Sequence, residues 1–249
     1  MEAWELALAA NASFAAGVLG GMVGLVLGSL RLPALLVASG NPAAAAGANI
    51  AVSAAAAGAA GLAHVRAGRV DWRTVAWMGP PSVAAAFVGG FFGGRIPERL
   101  LLGGIAVVLA WNGLDLLLEL RAPSGRPRRP QLAAAVSGAL IGFVGGAVGL
   151  ILGTLRLPAL LRWVGLAAHR AVGTNLVVGF FLGASGFLGH LAQLEVEWLV
   201  LLVSLAGAIP GGWIGARLTG AFSESALRRA IGAALLAVAL AIGLDAALY

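Results

Sequence analysis

The sequence predicts an all-α, polytopic membrane protein of 8–10 transmembrane or re-entrant helices, built as two tandem repeats in inverted orientation with Pro-broken helices near the midplane. Three observations predict it. First, 60% hydrophobic and 10% charged residues over 249 positions, with mean hydropathy +0.97, leave too little polar surface to enclose a soluble core. Second, the chain divides into apolar runs near the length needed to cross a bilayer, about 20 residues each. Third, GGMVGLVLGSLRLPALL at 20–36 returns at 145–161 as GGAVGLILGTLRLPALL, identical at 14 of 17 positions.

Cut at polar punctuation, the runs are 3–28, 33–63, 74–94, 100–120, 131–153, 157–189, 198–216 and 230–248. Six fit one crossing each. The first two runs of each half together hold enough residues for two long crossings or three short ones. The repeat continues beyond its best-matched string: Gly47-Ala48-Asn49 answers Gly173-Thr174-Asn175, Asp71-Trp72 answers Glu197-Trp198, and Gly113-Leu114-Asp115 answers Gly243-Leu244-Asp245. The expected organisation is therefore a first repeat over 1–120, a polar, Pro-rich linker over 121–130 (RAPSGRPRRP) and a second repeat over 131–249. The chain opens with Glu2 and Glu5 ahead of its first apolar run, so no removable signal peptide is expected.

Arginine placement decides the number of crossings. All 16 basic residues are Arg. With four crossings per half, seven fall on one face and nine on the other, which is no bias. With a short fifth crossing at 21–40 and 146–165, eleven fall on one face, Arg95 and Arg99 fall opposite, and Arg31, Arg156 and Arg162 lie within the extra crossing. That bias follows the positive-inside rule, and an odd count makes the copies inverted. The alternative is that the Pro-broken segments are hairpins that enter and leave by one face.

The residues with chemistry sit in the duplicated string. Gly28, Ser29, Arg31 and Pro33 match Gly153, Thr154, Arg156 and Pro158. Arg at lipid depth costs roughly 2.5 kcal/mol or more, and Pro removes an intrahelical hydrogen bond, so the pair is expected where a helix breaks around a polar cavity. Unwinding between each Gly and Pro would expose N–H groups at a positive helix end, and with two Arg this makes an anion trap. The competing reading is a simple kink with a snorkelling Arg. Asn49 and Asn175, with Ser53 and Thr174 beside them, need partners at that depth and are either interhelical glue or ligand contacts. His64 pairs with His190, and Asp115 with Asp245. All four are expected at the interface, with proton or ion coupling as the alternative.

GSLRLPALL, a GxN helix with a His near its end, Val70-Asp71-Trp72 and GGFFGGR at 89–95, all appearing twice with small changes, resemble the TauE/SafE family of sulfite and organosulfonate exporters over essentially the full chain. The resemblance implies a multi-pass transporter in the bacterial cytoplasmic (inner) membrane that moves small sulfur-containing anions, mostly outward. The Arg two residues before each Pro favours an anion.

Other classes are disfavoured. No cysteine is present, which removes disulfides and thiol catalysis, and three scattered His are poor material for a metal centre. No cofactor is expected. The arginines lie mostly between apolar runs, so they are read as topological and headgroup contacts and not as a nucleic-acid surface. The expected partners are a small anion, the bilayer and a second copy of the chain. Without Lys there is no GxxxxGK[ST] loop, which leaves an ion or substrate gradient to drive transport. An anion channel is the nearest alternative. Gly183-Ala184-Ser185-Gly186 resembles the nucleophile motif of intramembrane serine proteases, but His190 is five residues along the same helix, so no enzyme is expected.

Overall fold

The computed structural model describes residues 2–91, 98–119, 128–148, 153–191 and 197–248. Among them are ten α-helices and no strand: α1 (Ala3–Val23), α2 (Gly28–Ser39), α3 (Pro42–Arg66), α4 (Trp72–Phe91), α5 (Glu98–Leu118), α6 (Pro130–Val148), α7 (Gly153–Arg162), α8 (Ala168–Leu191), α9 (Trp198–Leu218) and α10 (Glu224–Leu248). Their ends carry the expected signals. Glu2 and Glu5 form a capping box before α1, the Asp71 carboxylate accepts the Thr74 N–H at 2.8 Å ahead of α4, and the Ser223 hydroxyl accepts the Ala226 N–H at 3.2 Å at the start of α10. Gly24 and Gly40 take left-handed conformations (φ 76° and 61°) that end α1 and α2.

The exteriors of these helices are apolar. Phe87, Val107, Leu202 and Leu240 are all exposed, which in water would be costly and in lipid is the favourable arrangement. Exposed Trp4, Trp72 and Trp198 open α1, α4 and α9, the placement of an aromatic belt. Among the described residues, Ala3–Val23, Ala44–Arg66, Trp198–Ala221 and Glu224–Leu244 are long and apolar enough to cross a membrane.

The helices form two compact units, and neither follows chain order. The first comprises Met1–Val70 and Leu176–Ala221; the second comprises Asp71–Asn175 and Phe222–Tyr249. In the first unit α1 and α9 run parallel at backbone contact. Carbons added at Gly207, Gly211 and Gly215 would strike the carbonyls of Ala10, Phe14 and Val18 in turn. Small residues four apart are what allow such an approach. α3 runs alongside both, whereas α8 crosses α3 antiparallel, with Ala54 against Gly183, Gly58 against Phe180 and Gly61 against Val177. In the second unit α4 and α6 run parallel, with Gly138 on the Met78 carbonyl and Gly142 on that of Ser82. α5 and α10 run antiparallel, with Ala106 opposite Gly243 and Gly113 opposite Leu236.

The extra segments are shorter than the runs at 21–40 and 146–165 suggested. α2 has 12 residues and α7 has 10, about 18 and 15 Å of helix, and neither alone covers a hydrocarbon core of about 30 Å. In the first unit α2 packs against both α1 and α3. It begins beside Asn49 and Ser53, and its far end packs Leu35 and Ala38 against Ala9, Ala45 and Val200, so it runs antiparallel to α1 and α3.

Candidate functional site

The first-copy site is built where α1 stops. Gly24 in its left-handed conformation donates to the Gly20 carbonyl at 2.8 Å, and Leu25 donates to the same oxygen at 3.0 Å. The chain is non-helical over 25–27 and α2 starts at Gly28. The interruption thus lies one turn earlier than the expected Gly28-to-Pro33 stretch. Pro33 sits within α2, where its missing N–H leaves the Ser29 carbonyl without its usual donor. At the start of α2 the Leu30 N–H donates to the Leu27 carbonyl at 3.3 Å, and the opening N–H groups form the positive end of the helix dipole.

One turn into α2, Arg31 is 2% exposed. Its Nε donates to Asn49 Oδ1 at 2.8 Å, and its Nη2 donates to Ser53 Oγ and to the Asn49 carbonyl at 3.4 Å. Gly28 is required for this approach, since a Cβ there would lie 2.9 Å from Ser53 Oγ and 3.0 Å from Asn49 Nδ2. A cavity of about 10 Å³ lies beside them, lined by Gly17, Gly20, Leu25, Arg31 and Ser53 among others. That volume suits one water and no larger solute.

The second unit repeats the arrangement with a difference. Arg156, 1% exposed, donates from Nε to Asn175 Oδ1 at 3.0 Å, and Asn175 Nδ2 donates to the Gly153 carbonyl at 2.8 Å. Its Nη2 has no hydrogen-bond partner among the described residues. Thr154 is buried on the same helix, and Pro158 lies inside α7 as Pro33 lies inside α2. Thr174 does not join Arg156. Its hydroxyl accepts the Asp71 N–H at 3.0 Å, away from the position its neighbour Asn175 suggested.

Arg162, at the end of α7, is different again. It forms an ion pair with Asp115 of α5 at 2.6 Å, and the Asp115 side chain is fully buried. The Asp115 carboxylate is thus engaged by a cation within the helix packing. Sequence reasoning missed this pair although a signal existed: Val37 stands at the matching place in the first copy, so Arg162 is a new charge in an otherwise preserved string. His64 is likewise fully buried, with Nε2 3.3 Å from the Gly21 carbonyl. Ser185 is exposed and donates to the Phe181 carbonyl of its own helix at 2.9 Å. Ser29, His190 and Asp245 lie on α2, α8 and α10, with side chains outside the described ones, and 120–127 of the linker also lies outside the described residues. No group of metal-ligating side chains occurs among the described residues.

Charge accounting separates the three arginines of α2 and α7. Arg162 has a carboxylate of its own. Arg31 and Arg156 are bonded to neutral amide, hydroxyl and carbonyl groups, with no carboxylate partner among the described residues. A buried guanidinium without a counter-ion is expensive and marks a place where a negative solute would be stabilised. Broken helices around such groups in an apolar bundle are the construction of membrane transport proteins.

Comparison with known proteins agrees. The chain belongs to the sulfite exporter TauE/SafE family, whose model matches residues 9–242. It is 29% identical over 238 residues to a probable membrane transporter protein of Xylella fastidiosa (strain 9a5c), covering 89% of this chain and 91% of that one. It is 25% identical over 240 residues to the probable membrane transporter protein YunE of Bacillus subtilis (strain 168), covering 84% and 85% respectively. No solved structure matches the chain. The protein is a multi-pass membrane protein of a transporter family, which is not an enzyme class, and a bacterial inner-membrane location is consistent with its relatives.

Proposed function

We propose that this protein is a secondary transporter of a small sulfur-containing oxyanion, sulfite or an organosulfonate, moved outward on an ion or substrate gradient. The observation that carries the reading is the pair of buried guanidinium groups, Arg31 and Arg156, each bonded to an Asn and neither matched by a carboxylate among the described residues. A sulfite or sulfonate oxygen only accepts hydrogen bonds, and a guanidinium only donates them. The cavity beside Arg31 is water-sized, so it must widen for such an anion to pass.

The two halves are further read as inverted copies. Support comes from pairs of corresponding helices that run antiparallel, α3 with α8 and α5 with α10. In the second pair the contacts exchange under the repeat offset of 130. Gly113 meets Leu236 and Ala106 meets Gly243, which are the same contact seen from either copy. Five alternating passes per half require this direction, and four would make the partners parallel.

The test is uptake into proteoliposomes loaded with sulfite, thiosulfate, sulfoacetate or taurine. Saturable, gradient-coupled exchange of at least one anion is expected, and the double variant Arg31→Gln, Arg156→Gln should abolish it while the protein remains monodisperse. Non-saturating flux would instead indicate a channel, and full activity in the double variant would remove the site.

A further inference from the structure

The two copies of the Arg–Asn unit are not equivalent. In the first copy Arg31 commits Nε and Nη2 to Asn49 and Ser53, the edge with which a guanidinium grips an oxyanion. In the second, Nε makes the matching bond to Asn175, and Nη2, on a fully enclosed side chain, meets no partner among the described residues. The sequence also differs between the copies one turn beyond each asparagine. The register that aligns Asn49 with Asn175 sets Gly179 in the place of Ser53, each one turn beyond its asparagine and each buried.

An enclosed, unbonded N–H on a cation is among the costliest groups a protein can keep. The first copy shows what satisfies it, an oxygen acceptor standing one turn beyond the asparagine. Resting on the reading of this chain as an oxyanion transporter, we propose that Arg156 is the recognition donor for the anion, with its open Nη2 taking a substrate oxygen where Arg31 takes the Ser53 hydroxyl. Gly179, one turn beyond Asn175, brings no side-chain acceptor of its own. Arg31 contributes charge with Nε and Nη2 already engaged.

The proposal makes a reciprocal exchange informative. In proteoliposomes with whichever of sulfite, thiosulfate, sulfoacetate and taurine the unaltered protein carries, Gly179→Ser should raise KM about ten-fold or more, the loss of one charge-assisted hydrogen bond. Gly179→Ala, which adds bulk without an acceptor, should raise it less. Ser53→Gly frees an N–H in the first copy and should lower KM. Arg156→Gln should weaken anion-dependent thermal stabilisation more than Arg31→Gln does. Equal KM for Gly179→Ser and the unaltered protein, or a larger loss from Arg31→Gln, overturns the assignment while leaving the transport reading in place. If Gly179→Ser does not fold, the Ser53→Gly and arginine comparisons decide alone. Absence of flux for every anion in the panel overturns both readings.

Discussion

At the residue scale the decisive contrast is between cations that carry their own counter-ion and cations that do not. Arg162 and Asp115 neutralise each other at 2.6 Å in a buried setting, so removing one partner leaves a charge stranded. Asp115→Ala should destabilise the protein by about 3–5 kcal/mol, read as a lowered melting temperature in detergent. The double variant Asp115→Leu, Arg162→Leu should recover most of that loss, and a double variant as unstable as the single one would show that the pair is not the source. The members of the Arg–Asn units were legible in the sequence, because each Asn follows a Gly by two residues and an Arg by 18 or 19 in both copies, but their bonding to one another was not. Thr174 misled because neighbours on a helix are rotated by about 100°, so one faces the arginine and the next faces the loop before α4. The ion pair was hidden by distance along the chain and by occurring in one copy only.

At the scale of elements, glycine acts in two opposite ways. On α9, Gly211 and Gly215 abut the backbone carbonyls of Phe14 and Val18, which cannot retreat as a flexible side chain can. Gly211→Leu should therefore prevent the α1–α9 contact, seen as loss of monodisperse protein on size exclusion. On α5, a methyl group placed at Gly103 would meet nothing within 4 Å. There Gly103→Ala should stabilise by roughly 0.5–1 kcal/mol through helix propensity alone. A neutral Gly211→Leu or a harmful Gly103→Ala would contradict this division. The Gly-rich strings are legible in the sequence as packing devices. Which helix each one meets is not, because a small-residue stripe names no partner. The stop of α1 falls one turn before the position its Gly and Pro suggest, since Gly24 in a left-handed conformation ends a helix as firmly as Pro does.

At the scale of the whole molecule, the all-helical membrane fold follows from composition, and the expectation of two copies from self-similarity, which are global properties of a sequence. The assignment of helices to units does not, because it depends on contacts across more than a hundred residues. The absence of native cysteines makes orientation directly measurable. Under inverted copies, the single variants Ala67→Cys and Glu197→Cys, at positions that follow α3 and precede α9, should react with a membrane-impermeant maleimide from opposite sides of the membrane. Labelling of both from one side would refute the inversion.

The grouping of α9 with α1 and α3 also bears on biogenesis. α1 ends at Val23 and α9 begins at Trp198, so the ribosome adds some 175 residues between them, roughly ten to thirty-five seconds of synthesis. Throughout that interval the face of α1 that carries Gly17 and Gly21 lacks its α9 partner. The α1–α9 contact can therefore close only after most of the chain has been made, so the packing of the first helix is completed by one of the last.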